Sequence, residues 1–390
     1  MAKLLRKIVY DILELYTRIG KDGEKIFYMT QVYVLYTGGT IGSSGSPLAP
    51  MPGHDFTKLV LSMPGLADFQ VAGYEGLHYV IDHLDVPLDS SNMTPSDWII
   101  IAQRILTNYD GYDGFVILHG TDTMSWTAAA LSFFLEGLTK PVILTGSQLP
   151  LARSLNDALL NLVGAIVLAG TTSIPEVCLF CNSELMRGNR TVKADTNAFS
   201  AFVSPNFSPL AMIGSHPMVN TSLILPSPPL TTSLANPDHV TRLQSTLQAI
   251  ATTILDFSAV SVTLFPGIQC TTMLATVLQG TQPPIRGIVL GTFGAGNAPL
   301  SAAFLDMISA ANARGITIVD STQVIKGTVN ITAYQTGSGL LKAGAISGYD
   351  LTPEAVLTKL IYLIACGLDQ HEVKAQMQIE LRGEMTIPHP

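Results

Sequence analysis

Short apolar runs alternate with segments of helical periodicity through the first half of the chain. The runs cover residues 32–36, 115–118, 142–145 and 177–180. Each run is continuous rather than interrupted by polar residues, which is typical of strands buried on both faces of a parallel sheet. Because such strands need crossover helices between them, the pattern predicts an α/β domain with a mostly parallel sheet.

Helix starts are marked within this alternation. Thr94 with Pro95 and Asp97 matches the capping-box pattern that begins a helix, and Ser154 with Asp157 repeats it. A further helix is predicted over residues 124–135, directly after the second apolar run. These helices follow loops at the ends of strands, where α/β proteins place their ligands.

The chain changes character after residue 213. Five prolines lie at positions 217, 226, 228, 229 and 237, and proline excludes a helix interior or a central strand. A helical stretch then leads to residue 257, and a second α/β pattern follows, with apolar runs at 262–264, 288–290 and 316–319. We predict a larger amino-terminal α/β domain over residues 31–213, a linker over 214–257 and a smaller carboxyl-terminal α/β domain over 258–390.

Residues 1–30 predict an amphipathic helix before the first strand. Apolar side chains recur at helical spacing from Leu4 to Ile19, with charged side chains on the other side. Asp11 and Glu14 interrupt the apolar stretch, which is not typical of a secretory signal or a transit peptide. We expect this helix to dock on the body of the protein or on another subunit.

The composition indicates a protein with a large core that acts on a small molecule. Of 390 residues, 47% are hydrophobic and 13% charged, with a net charge of -8. A negative net charge argues against nucleic-acid and anionic-membrane surfaces, since both require a concentrated positive field. No apolar stretch reaches the roughly 18 residues of a membrane span.

The four cysteines are Cys178, Cys181, Cys270 and Cys366. They are too few and too scattered for a disulfide framework, which indicates a reducing compartment and predicts a cytoplasmic location. Cys178 and Cys181 form a CxxC pair on a predicted strand, where positions three apart point to opposite faces. We therefore interpret them as buried thiols rather than a redox or metal-binding pair.

Two hydroxyl-bearing loops follow two of the predicted strands. The first is TGGT at 37–40, and the second is GTDT at 120–123. Because the carboxyl ends of parallel strands meet at one edge of a sheet, we expect Thr40 and Thr121 to share a site. A threonine hydroxyl on a glycine turn becomes a nucleophile when a base takes its proton. The alternative for Thr40 is an ordinary turn threonine.

Asp122 and Lys193 are the charged candidates for the same site. Asp122 either pairs with a substrate ammonium or caps the helix that follows it. Lys193 comes directly after RGNRTV and is either a catalytic base or a solvated lysine. The chain has no GxSxG elbow, HExxH pair, Walker loop or metal-ligand spacing, and Pro299 breaks a partial dinucleotide fingerprint at 294–299.

Seven segments together resemble the L-asparaginases, most closely the type I, cytosolic bacterial-type branch. They are YTGGTIG at 36–42, DSSNMTPSDW at 89–98, DGFVILHGTDTM at 113–124, KPVILTGSQLP at 140–150, RGNRTVKAD at 187–195, GNAP at 296–299 and LRGEMT at 381–386. TGGT and HGTDT in this order are highly specific. The resemblance implies the two-domain α/β fold, a larger domain followed by a smaller one, and an enzyme that needs no cofactor or metal.

The resemblance also implies roles for the candidate residues. Thr40 matches the nucleophile that attacks the carboxamide of L-asparagine and forms a β-aspartyl enzyme with loss of ammonia. Thr121 and Lys193 match residues that transfer protons and hold the attacking water, and Asp122 matches the partner of the substrate α-ammonium. Backbone N–H groups would stabilise the oxyanion.

Substrate contacts are implied at two more loops. Ser90 and Ser91 match residues that bind the α-carboxylate, and Gly146 and Ser147 match the loop that contacts the side-chain amide. Family members form an intimate dimer or a dimer of dimers in which the partner's smaller domain closes the pocket. Asn297 is our candidate for that contribution.

One position departs from the family pattern. Bacterial members carry a tyrosine on the loop after TGGT, where this chain has Leu48. We hypothesise that Tyr334 supplies the missing hydroxyl, as the corresponding region does in members similar to the mammalian cytosolic enzyme.

Other functions fit parts of the same pattern. A glutaminase or the amidase subunit of a tRNA-dependent amidotransferase shares both threonine motifs, although the extension of about 30 residues lacks a tRNA-binding surface. A non-catalytic module that binds an amino acid, and a protein that hydrolyses lipid esters, are the alternatives from other classes. The intact candidate residues argue against a non-catalytic module, and the missing serine elbow argues against a lipid-ester hydrolase.

Overall fold

The computed structural model describes residues 17–19, 25–27, 29–268 and 281–387. In chain order the strands are β1 Thr17–Ile19, β2 Lys25–Phe27, β3 Thr30–Gly38, β4 Ser43–Ser44, β5 Ala49–Pro50, β6 Leu77–Leu88, β7 Gly114–Leu118, β8 Val142–Thr145, β9 Val177–Cys181, β10 Glu184–Arg187, β11 Val192–Lys193, β12 Phe202–Val203, β13 Ala211–Ile213, β14 Pro217–Val219, β15 Ser258–Thr263, β16 Ile285–Thr292, β17 Thr317–Thr322 and β18 Ile346–Ser347.

The helices of the described residues include four in the larger domain and five that follow it. In chain order they are α1 Gly53–Leu61, α2 Pro95–Asn108, α3 Met124–Phe134, α4 Ala158–Thr171, α5 Pro237–Thr253, α6 Ala302–Ala313, α7 Gln335–Lys342, α8 Pro353–Ala365 and α9 Gln370–Met377. Across these ranges, each helix is too short or too polar to cross a membrane.

The larger domain is built on a mostly parallel sheet with strand order β14-β13-β10-β9-β8-β7-β3-β6. The pairs from β6 to β9 are parallel, and β10, β13 and β14 extend the sheet antiparallel. Strands β3, β7 and β8 bury nearly all their side chains, because helices cover both faces of the sheet. The mostly parallel α/β architecture predicted from the apolar runs is confirmed.

The smaller domain carries its own parallel sheet, in the order β15-β16-β17-β18. Helix α8 packs between this sheet and helix α3 of the larger domain. One hydrophobic cluster therefore contains side chains of both domains, such as Leu131 of α3, Leu360 of α8 and Val289 of β16. This shared core holds the two domains against each other.

The predicted linker contains more regular structure than its prolines indicate. Strand β14 lies at the edge of the larger sheet, where Pro217 is tolerated because an edge strand leaves half of its N–H groups unpaired. Helix α5 begins at Pro237 with Asn236 as its N-cap and buries Leu243 and Leu247 against the larger domain. The larger sheet thus continues past residue 213, and the following residues pack on its core.

The amino-terminal prediction is wrong where the structure describes it. Strands β1 and β2 pair antiparallel, so Arg18 and Ile19 do not belong to a helix. The β-branched Thr17, Ile19 and Ile26 favour strands. The predicted helical residues before 17 lie outside the described part of the chain.

One predicted helix start is confirmed and one is wrong. Thr94 and Asp97 form the predicted capping box of α2. Helix α4 begins at Ala158 rather than near Ser154, because the Asp157 carboxylate accepts the backbone N–H groups of Gln148 and Leu149 instead of starting a helix upstream. The helix predicted over 124–135 is present as α3.

The CxxC pair lies in strand β9, as expected. Cys178 packs into the core on one face of the sheet and Cys181 into the core on the other. Both are free thiols. Burial raises the pKa of Cys181 to about 11 and raises the pKa of Cys178 well above its ordinary value, so neither side chain is a thiolate at neutral pH.

Candidate active site

The two threonine loops lie against each other at the carboxyl edge of β3 and β7. A Cβ added to Gly39 would lie 2.4 Å from the Cα and the N of Gly120, and Gly39 has a φ of +81°. Only glycine combines this left-handed backbone with so close an approach. The structure therefore brings the loops of Thr40 and Thr121 together, as their strand-end positions predicted.

Hydrogen bonds fix the first loop around Thr40. The Thr37 hydroxyl donates to the carbonyl of Leu118 at 2.8 Å, and the Ser43 hydroxyl donates to the carbonyl of Gly39 at 2.9 Å. Thr40 itself begins a short 3-10 turn and is half-buried. Within the described residues its hydroxyl has no hydrogen-bond partner, so it is free to meet a ligand.

Lys193 joins both residues of the second loop. Its Nζ donates to Thr121 Oγ1 at 2.8 Å and to Asp122 Oδ1 at 2.6 Å. Strand β11 pairs with β12, with Lys193 opposite Phe202, and this hairpin carries the lysine to the sheet edge. The lysine side chain is 17% exposed, whereas that of Asp122 is 66% exposed. Lys193 is thus not a freely solvated lysine.

Asp122 does not act as a helix cap. Helix α3 has Thr123 as its N-cap residue, without a side-chain capping bond. The Thr123 hydroxyl donates instead to the carbonyl of Ser90 at 2.8 Å. Of the two interpretations of Asp122 left open by the sequence, the structure excludes the helix cap, and the pairing with a substrate ammonium stays a prediction.

Gln148 is a neighbour of Thr121 that the sequence analysis missed. The Thr121 hydroxyl donates to Gln148 Oε1 at 3.4 Å, and Gln148 Nε2 donates to the carbonyl of Ala198 at 3.3 Å. Since Lys193 donates to the same hydroxyl oxygen, Thr121 accepts from one side and donates to the other. Gln148 lies in the loop whose Gly146 and Ser147 were predicted, so its position next to them was the available signal.

The loop predicted to contact the substrate amide lies close to Thr121, but its serine hydroxyl already donates a hydrogen bond within the loop. A Cβ on Gly146 would lie 2.2 Å from the carbonyl oxygen of His119, which places this loop directly beside the second threonine loop. The Ser147 hydroxyl donates to the carbonyl of Leu149 at 2.6 Å and is buried. Its proton is therefore directed into its own loop.

The two predicted serines have different environments. Ser90 is buried, and its Oγ would lie 2.5 Å from a Cβ on Gly120, so it borders the same glycine as Gly39. Ser91 is exposed, and its hydroxyl and backbone N–H both donate to Asp89, at 2.8 and 2.9 Å. These bonds lower the pKa of Asp89 below its ordinary value.

His119 precedes the second loop but has a structural role. Its Nδ1 lies 2.7 Å from the carbonyl oxygen of Gly120, and its Nε2 lies 2.9 Å from the hydroxyl of Thr127. Because a carbonyl only accepts, Nδ1 carries the proton and Nε2 accepts from Thr127. Burial lowers the pKa of His119 to about 4, so the ring is neutral and holds the loop in place.

Asn297 and Tyr334 lie in the smaller domain. Asn297 Oδ1 accepts from the hydroxyl of Thr336 at 2.6 Å. Thr336 lies two residues after Tyr334. Tyr334 is 58% exposed at the start of α7. Within the described residues of one chain, no hydrogen bond joins either side chain to Thr40. Leu48, at the position of the family tyrosine, is exposed between β4 and β5.

The described residues contain no group of three His, Cys, Asp or Glu side chains placed to hold a metal ion.

Comparison with known proteins gives the relationships of the chain. The family Asparaginase, N-terminal matches residues 31–225, and the family Glutaminase/Asparaginase C-terminal domain matches residues 260–377. L-asparaginase 1 of Escherichia coli (strain K12) is 42% identical over 362 residues, which cover 91% of this chain and 98% of that protein. The 60 kDa lysophospholipase of Homo sapiens is 36% identical over 375 residues, which cover 92% of this chain and 62% of that protein.

A solved structure shows the same relationship in three dimensions. The crystal structure of L-asparaginase I from Vibrio cholerae O1 biovar eltor str. N16961 matches with a TM-score of 0.75 and 41% identity, covering 92% of this chain and 99% of the other. The resemblance seen in the sequence motifs is thereby confirmed. The chain belongs to the asparaginase family.

Proposed function

We propose that this protein hydrolyses L-asparagine to L-aspartate and ammonia through a threonine nucleophile. The observation that supports the proposal is the contact of Gly39 with Gly120, which joins the loop of Thr40 to the loop of Thr121, whose hydroxyl oxygen accepts from Lys193. A nucleophile without an intrachain partner next to a lysine-bound hydroxyl is suited to acyl transfer.

In the first half of the reaction, Thr40 Oγ1 attacks the carboxamide carbon. The proton of the Thr40 hydroxyl is transferred to neighbouring groups of the site. The carbon–nitrogen bond then breaks, and the nitrogen takes up a proton and departs as ammonia. The product is a β-aspartyl ester of Thr40. Backbone N–H groups of the glycine loops stabilise the oxyanion, which is the largest contribution in many acyl transfers.

In the second half, water attacks the ester carbonyl and aspartate is released from Thr40. Lys193 takes part in this step as the neutral amine: the water gives its proton to Thr121 Oγ1 while the Thr121 hydroxyl proton passes to Lys193 Nζ, 2.8 Å away. For this transfer the Thr121 hydroxyl turns from Gln148 Oε1, to which it donates in the structure, toward Lys193. The Thr40 hydroxyl is then restored.

The proposed substrate contacts follow from charge and position. The Asp122 carboxylate, largely exposed, binds the substrate α-ammonium in competition with Lys193. Ser90, buried against Gly120, binds the α-carboxylate together with Ser91, whose hydroxyl leaves Asp89 to do so. Gly146 and Ser147 contact the side-chain amide.

We also propose that the site is completed in a dimer or a dimer of dimers. Asn297 and Tyr334 lie on the smaller domain, and within the described residues of one chain neither is hydrogen-bonded to Thr40, which suits residues donated to a partner's site. Mixing Thr40→Ala subunits with Asn297→Ala subunits should then restore turnover that neither variant shows alone. Absence of restoration, in mixtures shown to exchange subunits, would contradict a shared site.

The proposed compartment is the cytoplasm. Cys178, Cys181 and Cys366 are free thiols, which suits a reducing environment.

Ammonia release tests the proposed reaction. Three proteins are assayed: wild type, Thr40→Ala and the control Thr107→Ala, which changes an exposed helix threonine. Ammonia release is measured with L-asparagine and with L-glutamine, and ester hydrolysis is measured with a lysophospholipid. We expect asparagine turnover by wild type and Thr107→Ala, reduced at least about 10³-fold in Thr40→Ala. Since one methylene is worth only about 1–3 kcal/mol in a pocket, weaker turnover of glutamine is consistent with the proposal. Ester hydrolysis without amide hydrolysis would contradict it.

A further inference from the structure

Residues 381–386, with the sequence LRGEMT, form a segment of the smaller domain to which the proposed mechanism gives no role. We call this segment the carboxyl-terminal brace. It returns to the larger domain and contacts the turn at 187–190, which lies three residues before Lys193.

Three side chains of that turn donate hydrogen bonds to the brace. The carbonyl of Gly383 accepts from Arg190 Nε at 2.8 Å and from Arg187 Nη1 at 3.2 Å. The carbonyl of Arg382 accepts from Asn189 Nδ2 at 2.9 Å. The turn is thereby fastened to consecutive backbone groups of the other domain.

The brace is itself held rigidly by a buried ion pair. The Glu384 carboxylate accepts the backbone N–H groups of Leu381 and Arg382 at 3.0 and 2.6 Å, and Lys359 Nζ lies 2.6 Å from the same carboxylate. Both charged side chains are fully buried, so neither can move without leaving a buried charge unpaired. Helix α8, which carries Lys359, thus sets the position of the brace.

Arg190 is the strongest link between the brace and the turn. Its guanidinium is buried, pairs with Asp350 Oδ2 at 2.8 Å and donates to Thr386 Oγ1 at 3.2 Å. With the bond to Gly383, every nitrogen of this side chain is directed at the smaller domain. The position of the Arg190 backbone therefore follows that domain.

The residues between Arg190 and Lys193 are held in place by burial, hydrogen bonds and strand pairing. The Thr191 side chain is fully buried, and its Oγ1 donates to the carbonyl of Gly188 at 2.8 Å and lies 3.2 Å from Ser125 Oγ in the first turn of α3. Val192 and Lys193 then form β11, paired with β12. A displacement of the turn must therefore move Lys193 Nζ relative to Thr121.

We propose that Arg190 and Gly383 are positioning residues for Lys193: the smaller domain, through the carboxyl-terminal brace, sets the distance between Lys193 Nζ and Thr121 Oγ1. This inference rests on the proposed function, in which that pair transfers protons.

Gly383→Ala tests it, with Gly367→Ala as the matched control. Gly383 has a φ of +71°, and a Cβ there would lie 2.4 Å from Arg187 Nη1 and 2.7 Å from Arg187 Cζ. Arg187 cannot swing aside because Glu176 holds its Nε at 2.6 Å. Gly367 has a φ of +81° with no atom within 4 Å of the added Cβ, so its variant carries similar backbone strain without the collision.

We expect Gly383→Ala to lower kcat for L-asparagine by about 10- to 100-fold with little change in KM, because a displacement of about 1 Å is costly in catalysis. Gly367→Ala should lose a comparable amount of thermal stability and keep its kcat. Equal kcat in both variants would overturn the inference.

A double-mutant cycle with Lys193→Ala gives the decisive readout. If the brace acts through Lys193, adding Gly383→Ala to Lys193→Ala lowers kcat no further. If it has only a general structural role, the two losses multiply and the inference fails while the proposed function stands. Should Gly383→Ala not fold, Thr386→Val, which removes one bond to Arg190, enters the same cycle with the same criteria. A folded wild type without amide turnover would overturn both proposals.

Discussion

Gly39 and Gly120 meet backbone to backbone, so closely that a Cβ on Gly39 would lie 2.4 Å from the Cα of Gly120. The contact joins the ends of two neighbouring parallel strands, β3 and β7. It explains how two motifs more than eighty residues apart in sequence come together at one edge of the sheet. The distance between the loops is fixed by glycine rather than by side-chain packing.

Gly39→Ala is expected to abolish most of the turnover. The added methyl group has to push the two threonine loops apart, and misplacement by about 1 Å costs about 100-fold in rate. The measurement is kcat for ammonia release from L-asparagine. Gly73→Ala is the control, because Gly73 has a φ of +85° but no atom within 4 Å of an added Cβ. It should lose about 1 kcal/mol of stability and keep its rate; similar rates in both variants would contradict the role of the contact.

Lys193→Ala is expected to lower kcat by about 10²- to 10⁴-fold, the usual contribution of a proton-transferring group. The free energy of unfolding should change by less than about 1 kcal/mol, because its partner Asp122 is 66% exposed and exposed ion pairs contribute little. Lys342→Ala, at an exposed position on α7, is the control. Partial recovery of turnover with added small alkylamines would support loss of the amine itself, whereas unchanged turnover would exclude Lys193 from the mechanism.

Tyr334→Phe is expected to lower kcat by about 10-fold or more if this hydroxyl replaces the tyrosine missing at position 48. Tyr334 is largely exposed in one chain, so the variant should fold normally. Tyr74→Phe, at a half-buried tyrosine to which the account gives no role, serves as the control. Full activity of Tyr334→Phe would disprove the proposal that Tyr334 replaces the tyrosine missing at position 48.

Asp320 gives a prediction for stability against pH. Its carboxyl is fully buried in the smaller domain; Oδ1 accepts from the Thr292 hydroxyl at 2.6 Å, and Oδ2 has no partner within the described residues. Burial raises its pKa to about 6 from an ordinary value of 3.8. The folded state therefore retains the proton between about pH 4 and 6, while the unfolded state loses it.

Stability from this group is fully present below pH 4 and is lost as the pH rises through 6, a change of about 3 kcal/mol. Asp320→Asn should remove that slope, so the variant gains about 3 kcal/mol relative to wild type between pH 4 and 7 in denaturant unfolding. Asp306→Asn, an exposed carboxylate of the same domain, should show no such change. A difference between Asp320→Asn and wild type that is constant with pH would be the contrary result.

The sequence was informative wherever one local pattern decided the structure. Strands β3, β7, β8 and β9 are continuous apolar runs, because both faces are covered. Strand β6 was missed since it lies at the sheet edge and carries polar residues such as His78, Asp82 and Asp85. Strand β14 was missed because Pro217 argues against a strand. At the edge of a sheet proline is tolerated, because the hydrogen-bonding requirement that excludes it elsewhere is relaxed there.

The candidate site divides in a similar way. Thr40 and Thr121 were recognisable because loops at neighbouring strand ends must meet. The contacts of Gln148 and of the carboxyl-terminal brace were not, since they depend on side-chain directions and on how two domains pack. Asp157 shows the same limit: its carboxylate serves the backbone of the 148–149 loop instead of starting a helix at Ser154.

The central claim is that Thr40 carries the acyl group, and chemical quenching during turnover tests it most directly. Wild type mixed with excess L-asparagine is acid-quenched, digested and mapped by mass spectrometry, with Thr40→Ala as the comparison. We predict a β-aspartyl ester on Thr40 of wild type and no ester in the variant. An ester on Thr121, or ammonia release that persists at the wild-type rate in Thr40→Ala, would contradict the account.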